Sequence, residues 1–352
     1  RHFRELGKDI QAENFTVAGV GDMSGDVFGN GMLLSPHICL LAAFNHRHIF
    51  IDPAPNPAKS LAERQRLFDA VQGWDGYDTK LIAKGGGVFE RSVKSIAVTP
   101  EMKQLFGLSA DHATPDELIR AMLMAKVDLL WFGGIGTYIK SSDESQEEVG
   151  DRANDALRID ATDVRAKAIG EGANLAMTQA GRVEYALAGG RCNTDAIDNS
   201  AGVDCSDHEV NIKILLGDPL RRGTITRPQR DEILVQMTEE VGALVLRDNY
   251  LQTQAISDVE AQGVALLDGH QRLIRDLERA GKLERAIEGL PNDEEFTVRN
   301  AAGKGLTRPE LAILLAYSKT TLYDELLQSD LPEDPGVHSD LPRYFPTLLS
   351  SR

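Results

Sequence analysis

The stretch that most constrains the fold reads F-T-V-A-G-V-G-D-M-S-G-D-V-F-G-N-G and covers residues 15–31. Its apolar start, residues 15–20, predicts a short buried strand. Three glycines then follow in the spacing G-x-G-x-x-x-G: Gly19, Gly21 and Gly25. Glycines let the backbone turn sharply and let a phosphate approach, and the helix that follows offers free N–H groups at its start. The stretch therefore predicts a turn that binds the pyrophosphate of a dinucleotide.

The residues between the glycines also belong to the predicted site: Asp22, Met23 and Ser24. Asp22 or Ser24 is of a type that caps the next helix. The usual dinucleotide spacing is G-x-G-x-x-G, and here one extra residue precedes the third glycine. A turn that binds no ligand is therefore the alternative.

A second set of three glycines, with a different spacing, overlaps the first. Gly25, Gly29 and Gly31 have the G-x-x-x-G-x-G spacing of short-chain dehydrogenases. Those enzymes need a Tyr-x-x-x-Lys pair, and no tyrosine of this chain has a lysine four positions later. We therefore do not interpret this spacing as that of a short-chain dehydrogenase.

Length and charge exclude several classes of protein. A chain of 352 residues is long enough for two domains. Its net charge of −16 repels a phosphate backbone and an anionic membrane surface, so we expect neither nucleic acid nor a membrane as partner. Three cysteines without C-x-x-C spacing predict free thiols in a reducing compartment, the cytoplasm. The chain does not begin with Met, and residues 1–14 resemble an incoming helix, so we expect a piece of a longer protein.

After the glycine turn the sequence predicts two helices that reach about Phe44, because Ser35 and Pro36 resemble a helix start. The second strand is then His48–Ile51, and it ends on Asp52. An acidic residue at this point accepts both ribose hydroxyls of an adenosine and repels a 2′-phosphate. Asp52 is 31 residues after Gly21, where about 20 is usual, and the broken helix accounts for the surplus. The alternative is that Asp52 only starts a turn.

A helix over residues 58–71 is followed by a predicted strand, Lys80 to Ala83, and by Lys84-Gly85-Gly86-Gly87. Three glycines beside a lysine are suited to bind an anion or a carboxylate, and they are equally suited to a flexible hairpin. Lys84 is therefore a candidate substrate ligand, and both readings stay open.

Three further predicted strands also run into glycine- or asparagine-rich turns. Residues 127–132 end on Gly133-Gly134, residues 166–170 lead into G-A-N at 172–174, and residues near 192–197 lead into Asn199. Strands that alternate with helices predict an α/β fold, a doubly wound, Rossmann-like parallel sheet. Ligands of such sheets bind at the carboxyl ends of the strands, where these turns gather.

From about residue 217 the strand signals stop. Thr226 and Thr307 each begin a capping box that starts a helix. We therefore expect a coenzyme domain over 1–216 and an all-helical region over 217–352. His46 and His48 lack acidic or Cys neighbours at ligand spacing, so no metal is expected there. His208 is a candidate for a polar role.

These turns, taken together, resemble those of the glutamate dehydrogenases. That family has a glycine fingerprint, an acidic residue after the second strand, a G-A-N turn, and an N-A-G-G-V turn with a serine three residues later. The corresponding features here are Gly19/Gly21/Gly25, Asp52, 172–174, and N-S-A-G-V at 199–203 followed by Ser206. The sequence around these features resembles that of the very large NAD-specific bacterial subclass, and it includes the segment T-D-A-I-D-N-S-A-G-V-D-C-S-D-H-E-V-N-I-K.

The resemblance implies oxidative deamination of L-glutamate to 2-oxoglutarate and ammonia, with NAD as coenzyme. Asn174 and Asn199 then contact the ribose–nicotinamide end, and Ser206 contacts a substrate carboxylate. It also implies a homo-oligomer for the full-length enzyme.

The family's catalytic lysines and general acid–base aspartate precede the fingerprint, so we expect no catalytic residue in this chain and no activity of the chain alone. Two alternatives are a non-catalytic regulatory module that binds NAD or another adenine nucleotide, and a structural assembly unit.

Overall fold

The computed structural model describes residues 1–350 and forms two compact units. The first contains residues 1–199 and 263–310, and the second contains 200–262 and continues from 311. Residue 216, where the sequence predicts the coenzyme domain to end, lies inside the helix Ser200–Arg221. The functional boundary at this residue stays a prediction.

All strands of the described residues belong to the first unit. They are β1 (Phe15–Val20), β2 (Ile38–Phe44), β3 (His48–Ile51), β4 (Gly87–Glu90), β5 (Ile96–Ala97), β6 (His112–Ala113), β7 (Leu129–Phe132), β8 (Ile139–Lys140), β9 (Ile159–Asp160) and β10 (Ala168–Glu171).

Six strands form the main sheet in the order β10-β7-β1-β2-β3-β4. The first four are parallel, whereas β3 pairs antiparallel with β2 and β4 pairs antiparallel with β3. The chain leaves β1 toward β2 on one side and returns to β7 on the other. The carboxyl ends of β1 and β7 therefore border the point where the strand order reverses, which is the usual ligand crevice of an open α/β sheet. The predicted α/β class and helical C-terminal region are confirmed, and the sheet is mixed.

The helices of the described residues are α1 (His2–Glu5), α2 (Asp26–Gly31), α3 (Pro57–Asp69), α4 (Pro100–Phe106), α5 (Pro115–Leu123), α6 (Gln146–Val149), α7 (Gln179–Leu187), α8 (Asp195–Asp198), α9 (Ser200–Arg221), α10 (Arg227–Gln236), α11 (Thr238–Gln262), α12 (Leu267–Arg279), α13 (Asp293–Ala301), α14 (Arg308–Gln328), α15 (Asp340–Tyr344) and α16 (Thr347–Ser350). Thr226 forms its predicted capping box with Gln229, and Thr307 bonds the Glu310 carboxylate.

One predicted helix is a strand. Residues 38–44 read I-C-L-L-A-A-F, and their Leu and Ala residues favour a helix in isolation. In the structure they form β2, which lies between β1 and β3 and is buried at every position except the half-buried Cys39. A strand covered on both faces has a continuous apolar run rather than an alternating one, and this run lacks the alternation that signals a strand.

Three smaller predictions are also wrong. The incoming helix is only α1, residues 2–5. The strand predicted at Lys80 is a 3-10 turn, Thr79–Leu81. The strand predicted near 192–197 is replaced by the short helix α8. The strands predicted within 127–132 and 166–170 are confirmed as β7 and β10.

Two apolar clusters pack in the first unit. One of them is centred on aromatic side chains that lie under the glycine turn, where Phe28 meets Trp74 edge-on and Phe50 stacks on Trp74 at 4.7 Å. The second unit is helical, with α9 and α11 in contact and a small core that includes Ile212, Leu216 and Met237. Within residues 1–350, no helix combines the length and the apolar character that crossing a membrane requires.

Candidate functional site

The glycine turn leaves the carboxyl end of β1 as predicted. Gly21 donates its N–H to the Phe44 carbonyl at 2.7 Å and has a φ of +136°, which only glycine adopts without strain. A Cβ at Gly19 would lie 2.8 Å from the Phe28 ring, and one at Gly21 would lie 2.6 Å from the Phe28 Cβ. The first two glycines are therefore required by the packing of the turn itself.

Gly25 differs from the other two glycines. It is the N-cap of α2, and no side chain caps this helix, so the predicted capping by Asp22 or Ser24 is wrong. A Cβ at Gly25 would meet only the Asp22 carbonyl, at 3.8 Å. Packing alone does not demand a glycine here.

Asp22 links the ends of two parallel strands. One carboxylate oxygen accepts hydrogen bonds from the Ser24 N–H and hydroxyl at 2.9 and 2.6 Å. The other accepts one from the side-chain amide of Asn45 at 2.5 Å. Asn45 directly follows β2, and its side-chain oxygen Oδ1 accepts hydrogen bonds from the N–H groups of Arg47 and His48. Asn45 was missed from sequence because β2 was mistaken for a helix.

Met23 is fully buried in the core beside Phe28. Its side chain is therefore directed away from any ligand in the turn, and only its backbone is available for binding.

Asp52 does not join this edge of the sheet. It follows β3, which runs antiparallel, and its N–H donates to the Leu41 carbonyl in the middle of β2. It is fully buried, and its Oδ1 accepts hydrogen bonds from the Ala83 and Ala54 N–H groups at 3.1 and 3.3 Å. Burial raises the pKa of this carboxyl, and the two N–H groups oppose the shift. The premise of the ribose prediction, a parallel strand that ends on Asp52, is therefore wrong.

Lys84 lies near Asp52 in the loop that enters β4, not with the glycine turn. Its side chain is 93% exposed and forms an ion pair with Glu101 at 3.1 Å. The flexible-hairpin alternative also differs from the structure, because this loop packs closely: a Cβ at Gly86 would lie 2.3 Å from the Ile51 carbonyl.

The predicted glycines after β7 do join the turn. Gly133 donates its N–H to the Val20 carbonyl at 2.8 Å, and a Cβ there would lie 2.6 Å from the Phe28 Cα. Gly134 comes next along the same edge, and a Cβ there would lie 3.5 Å from Val20.

The G-A-N turn, residues 172–174, lies against α2, the helix that follows the glycine turn. A Cβ at Gly172 would lie 2.7 Å from the side chain of Val27, in the first turn of α2. The turns that follow β1, β7 and β10 therefore form one continuous surface.

Asn174 and Asn199 lie in contact, and their predicted role at the ribose–nicotinamide end stays a prediction. The side-chain amide of Asn199 donates a hydrogen bond to the side-chain oxygen of Asn174. Leu175, the next residue, has a φ of +63° and is held by a hydrogen bond from its N–H to Asp195 at 2.8 Å. A left-handed leucine is uncommon and costs about 1–2 kcal/mol, so this turn is strained.

Buried charges support these two asparagines. Glu171 at the end of β10 accepts two hydrogen bonds from Arg182, at 2.6 and 2.8 Å, and both side chains are buried. The Glu171 N–H donates to Asp198, which also accepts from Asn193. Burial raises the pKa of Glu171 to about 7 and raises that of Asp198, while Arg182 opposes both shifts. No spacing in the sequence signals these partners.

Ser206 lies on α9 in the second unit, and its side chain is exposed. Its predicted contact with a substrate carboxylate stays a prediction.

Comparisons with known proteins match this chain along its length. The family model described as bacterial NAD-glutamate dehydrogenase, catalytic domain, matches residues 1–259, and the model described as glutamate dehydrogenase, C-terminal, matches residues 303–352. Curated proteins named NAD-specific glutamate dehydrogenase are 56% identical in Pseudomonas aeruginosa, 54% in Halomonas elongata and 52% in Mycobacterium tuberculosis. Each match covers 100% of this chain and 22% of the relative, so the chain spans about a fifth of those proteins. The chain therefore belongs to the bacterial NAD-glutamate dehydrogenase family.

Proposed function

We propose that the first unit binds NAD across the carboxyl edge of its sheet, as the coenzyme part of an enzyme that oxidatively deaminates L-glutamate. The observation that carries this proposal is the meeting of three turns, after β1, β7 and β10, where the strand order reverses. The names of the relatives support the choice of coenzyme and of reaction.

The residues of the turn fit a pyrophosphate. Gly25 has open space where a Cβ would stand, so a phosphate oxygen has room to approach the backbone. The only carboxylate in the turn, Asp22, is held in place by hydrogen bonds from Ser24 and Asn45. We assign the pyrophosphate to the backbone between Gly21 and Gly25, with Gly134 beside it.

We assign the adenosine ribose to the Asp22–Asn45 pair in place of Asp52. Asn45 occupies the end of β2, which is where doubly wound sheets place their ribose ligand. The Asp22 carboxylate beside it supplies the negative charge that disfavours a 2′-phosphate. Asp52 is buried at a different position along the sheet and has no access to this surface.

Asn174 and Asn199 serve the nicotinamide end, and Ser206 binds a carboxylate of glutamate. A bound NAD would supply the hydride acceptor for the α-carbon of L-glutamate in the proposed deamination to 2-oxoglutarate and ammonia. The hydrogen bond between the two asparagines fixes both amides before the coenzyme arrives, so less ordering is required on binding.

Because the family's lysines and aspartate lie before the fingerprint, we propose that this chain alone binds NAD without turning glutamate over. We also propose that the full-length enzyme is a cytoplasmic homo-oligomer. The unpaired cysteines, Cys39, Cys192 and Cys205, support a reducing compartment.

Isothermal calorimetry of the chain with NAD and NADP tests the proposal. We expect saturable NAD binding and weaker NADP binding. Asp22→Asn should narrow the difference between the two coenzymes, and Asp52→Asn should leave it unchanged. If neither coenzyme binds, the proposed site is wrong for this chain. If Asp52→Asn alone alters the preference, the ribose belongs to Asp52 after all.

A further inference from the structure

The second unit contains a cluster that the proposed function does not use. Asp204 and His208 are four residues apart on α9 and share one face of it, and Asp248 of the neighbouring helix α11 completes the group. One ligand atom from each of the three lies within 4.8 Å of the others. These residues bring one imidazole and two carboxylates to a single point between two helices.

The buried imidazole of His208 distinguishes this group from an ordinary cluster of surface carboxylates. It is 2% exposed, and within residues 1–350 its Nδ1 has no hydrogen-bond partner, while the Asp204 Oδ2 is also buried without one. The His208 Nε2 lies 3.8 Å from the Asp204 Oδ1, which is too far for a hydrogen bond. Buried polar atoms without partners are costly, so an unfilled cluster of this kind indicates a missing ligand.

The spacing suits a metal ion. Two bonds of about 2.1 Å each, typical of zinc to nitrogen and oxygen, span up to about 4.2 Å, which includes the distance between Nε2 and Oδ1. The His208 ring is already held in place, because it stacks on Tyr344 with centroids 4.9 Å apart and an angle of 14°. The Tyr344 hydroxyl in turn accepts a hydrogen bond from Asn211 at 2.8 Å.

We propose that Asp204, His208 and Asp248 bind one first-row divalent cation, of the zinc or manganese type, which joins α9 to α11. An imidazole with two carboxylates suits these ions better than magnesium or calcium, which prefer oxygen ligands alone. The cation binds His208 through the Nε2 that faces Asp204, and it relieves the repulsion between the two carboxylates. Solvent completes its coordination from the side of Asp248, the more exposed ligand.

Two cationic side chains lie nearby and compete weakly with the ion. Arg247 donates to one oxygen of Asp248 at 3.1 Å, but its side chain is 59% exposed, so the pair is weak. The ammonium of Lys319 is exposed and bonded to Gln252. The second oxygen of Asp248 stays available for a metal.

Calorimetric titration of the tag-free chain with ZnCl₂, and separately with MnCl₂ and MgCl₂, tests the site. We expect one zinc or manganese ion per chain, a higher unfolding temperature with the bound ion, and at least a tenfold weaker response to magnesium. Asp248→Asn, at the exposed side of the cluster, should weaken zinc binding at least tenfold and remove the thermal shift.

Asp207→Asn is the matched control, because Asp207 is an exposed carboxylate on the same helix, next to His208. It removes the same charge without removing a ligand, so we expect zinc affinity within about twofold of the unmodified chain. The proposal is overturned if no saturable binding occurs, or if Asp207→Asn and Asp248→Asn weaken binding equally. None of these measurements depends on NAD binding or on turnover, so they are independent of the proposed function.

Discussion

The side-chain amide of Asn199 donates to the side-chain oxygen of Asn174, 25 residues earlier in the chain, and so joins the turn after β10 to the end of α8. This contact fixes the orientation of two amides at one end of the continuous turn surface. A substitution of Asn199 is therefore the most direct test of whether this turn serves an enzyme or a regulatory module that only binds a nucleotide.

Asn199→Ala in the full-length enzyme should lower kcat/KM for glutamate by about two- to tenfold, because one hydrogen bond near the reacting end contributes roughly 0.5–1.5 kcal/mol. Steady-state kinetics with NAD and glutamate measure this effect. Asn300→Ala is the control, because Asn300 is exposed on α13. Unchanged turnover in the Asn199 variant would favour a regulatory module over a catalytic role for this turn.

Substitutions of Gly21 and Gly25 should have different effects, the first mainly on folding stability and the second mainly on coenzyme binding. Gly21→Ala forces a side chain into a φ of +136° and into Phe28, so we expect a loss of about 3 kcal/mol or more in the free energy of unfolding. Gly25→Ala meets nothing closer than 3.8 Å, so it should cost no more than about 1 kcal/mol. Its methyl group nevertheless occupies the space proposed for a phosphate, and NADH affinity should fall about tenfold.

Urea unfolding and a fluorescence titration with NADH measure the two quantities on the same variants. A Gly25→Ala variant that binds NADH like the unmodified chain would mean that this open space is not used by the coenzyme. The assignment of the pyrophosphate would then be wrong even if NAD binds elsewhere.

The parts of the site that were predictable from sequence are those where one residue type has one purpose. Glycines at the ends of apolar runs located the turns after β1 and β7, because only glycine permits the close approach of Phe28 to Gly21 and Gly133. The helix predicted over β2 was wrong because Leu and Ala carry a local preference that burial between two strands overrides. The same error hid Asn45, to which we assign the ribose, at the end of a parallel strand.

Other features leave no local signal. Arg182 and Glu171 are 11 positions apart and are paired only by the docking of α7 against β10. Asn174 and Asn199 were assigned to the site only by resemblance, since neither periodicity nor spacing distinguishes them from other asparagines. Contacts that depend on tertiary structure were therefore beyond reasoning from the sequence alone.

Asp52→Asn should change the pH dependence of stability. Burial raises the pKa of Asp52 in the folded state, so the folded chain holds this proton more tightly than the unfolded chain does. The contribution of Asp52 to stability is therefore present below the unfolded pKa of about 4 and is lost as the pH rises toward the folded value. An asparagine does not ionise, so the free energy of unfolding of the variant should decline less than that of the unmodified chain as the pH rises.

Urea unfolding of both proteins between pH 4 and pH 8 measures the difference, with Asp69→Asn, an exposed carboxylate on α3, as control. The Oδ1 acceptor of the Ala54 and Ala83 N–H groups is retained in asparagine, so the fold should persist. A variant that loses stability steadily as the pH rises, in parallel with the unmodified chain, would show that Asp52 is not the group responsible.

Glu171→Ala should be the most destabilising change in the site. It leaves the guanidinium of Arg182 buried without its two carboxylate bonds, and breaking a buried pair in this way costs about 3–5 kcal/mol. The double variant with Arg182→Met should recover part of this loss, because it removes a buried guanidinium whose remaining carboxylate partner is Asp195 at 3.4 Å, and it fills most of the volume. Urea unfolding of both single variants and of the double variant measures the coupling. If the two single losses simply add, the two side chains do not stabilise the turn as a pair.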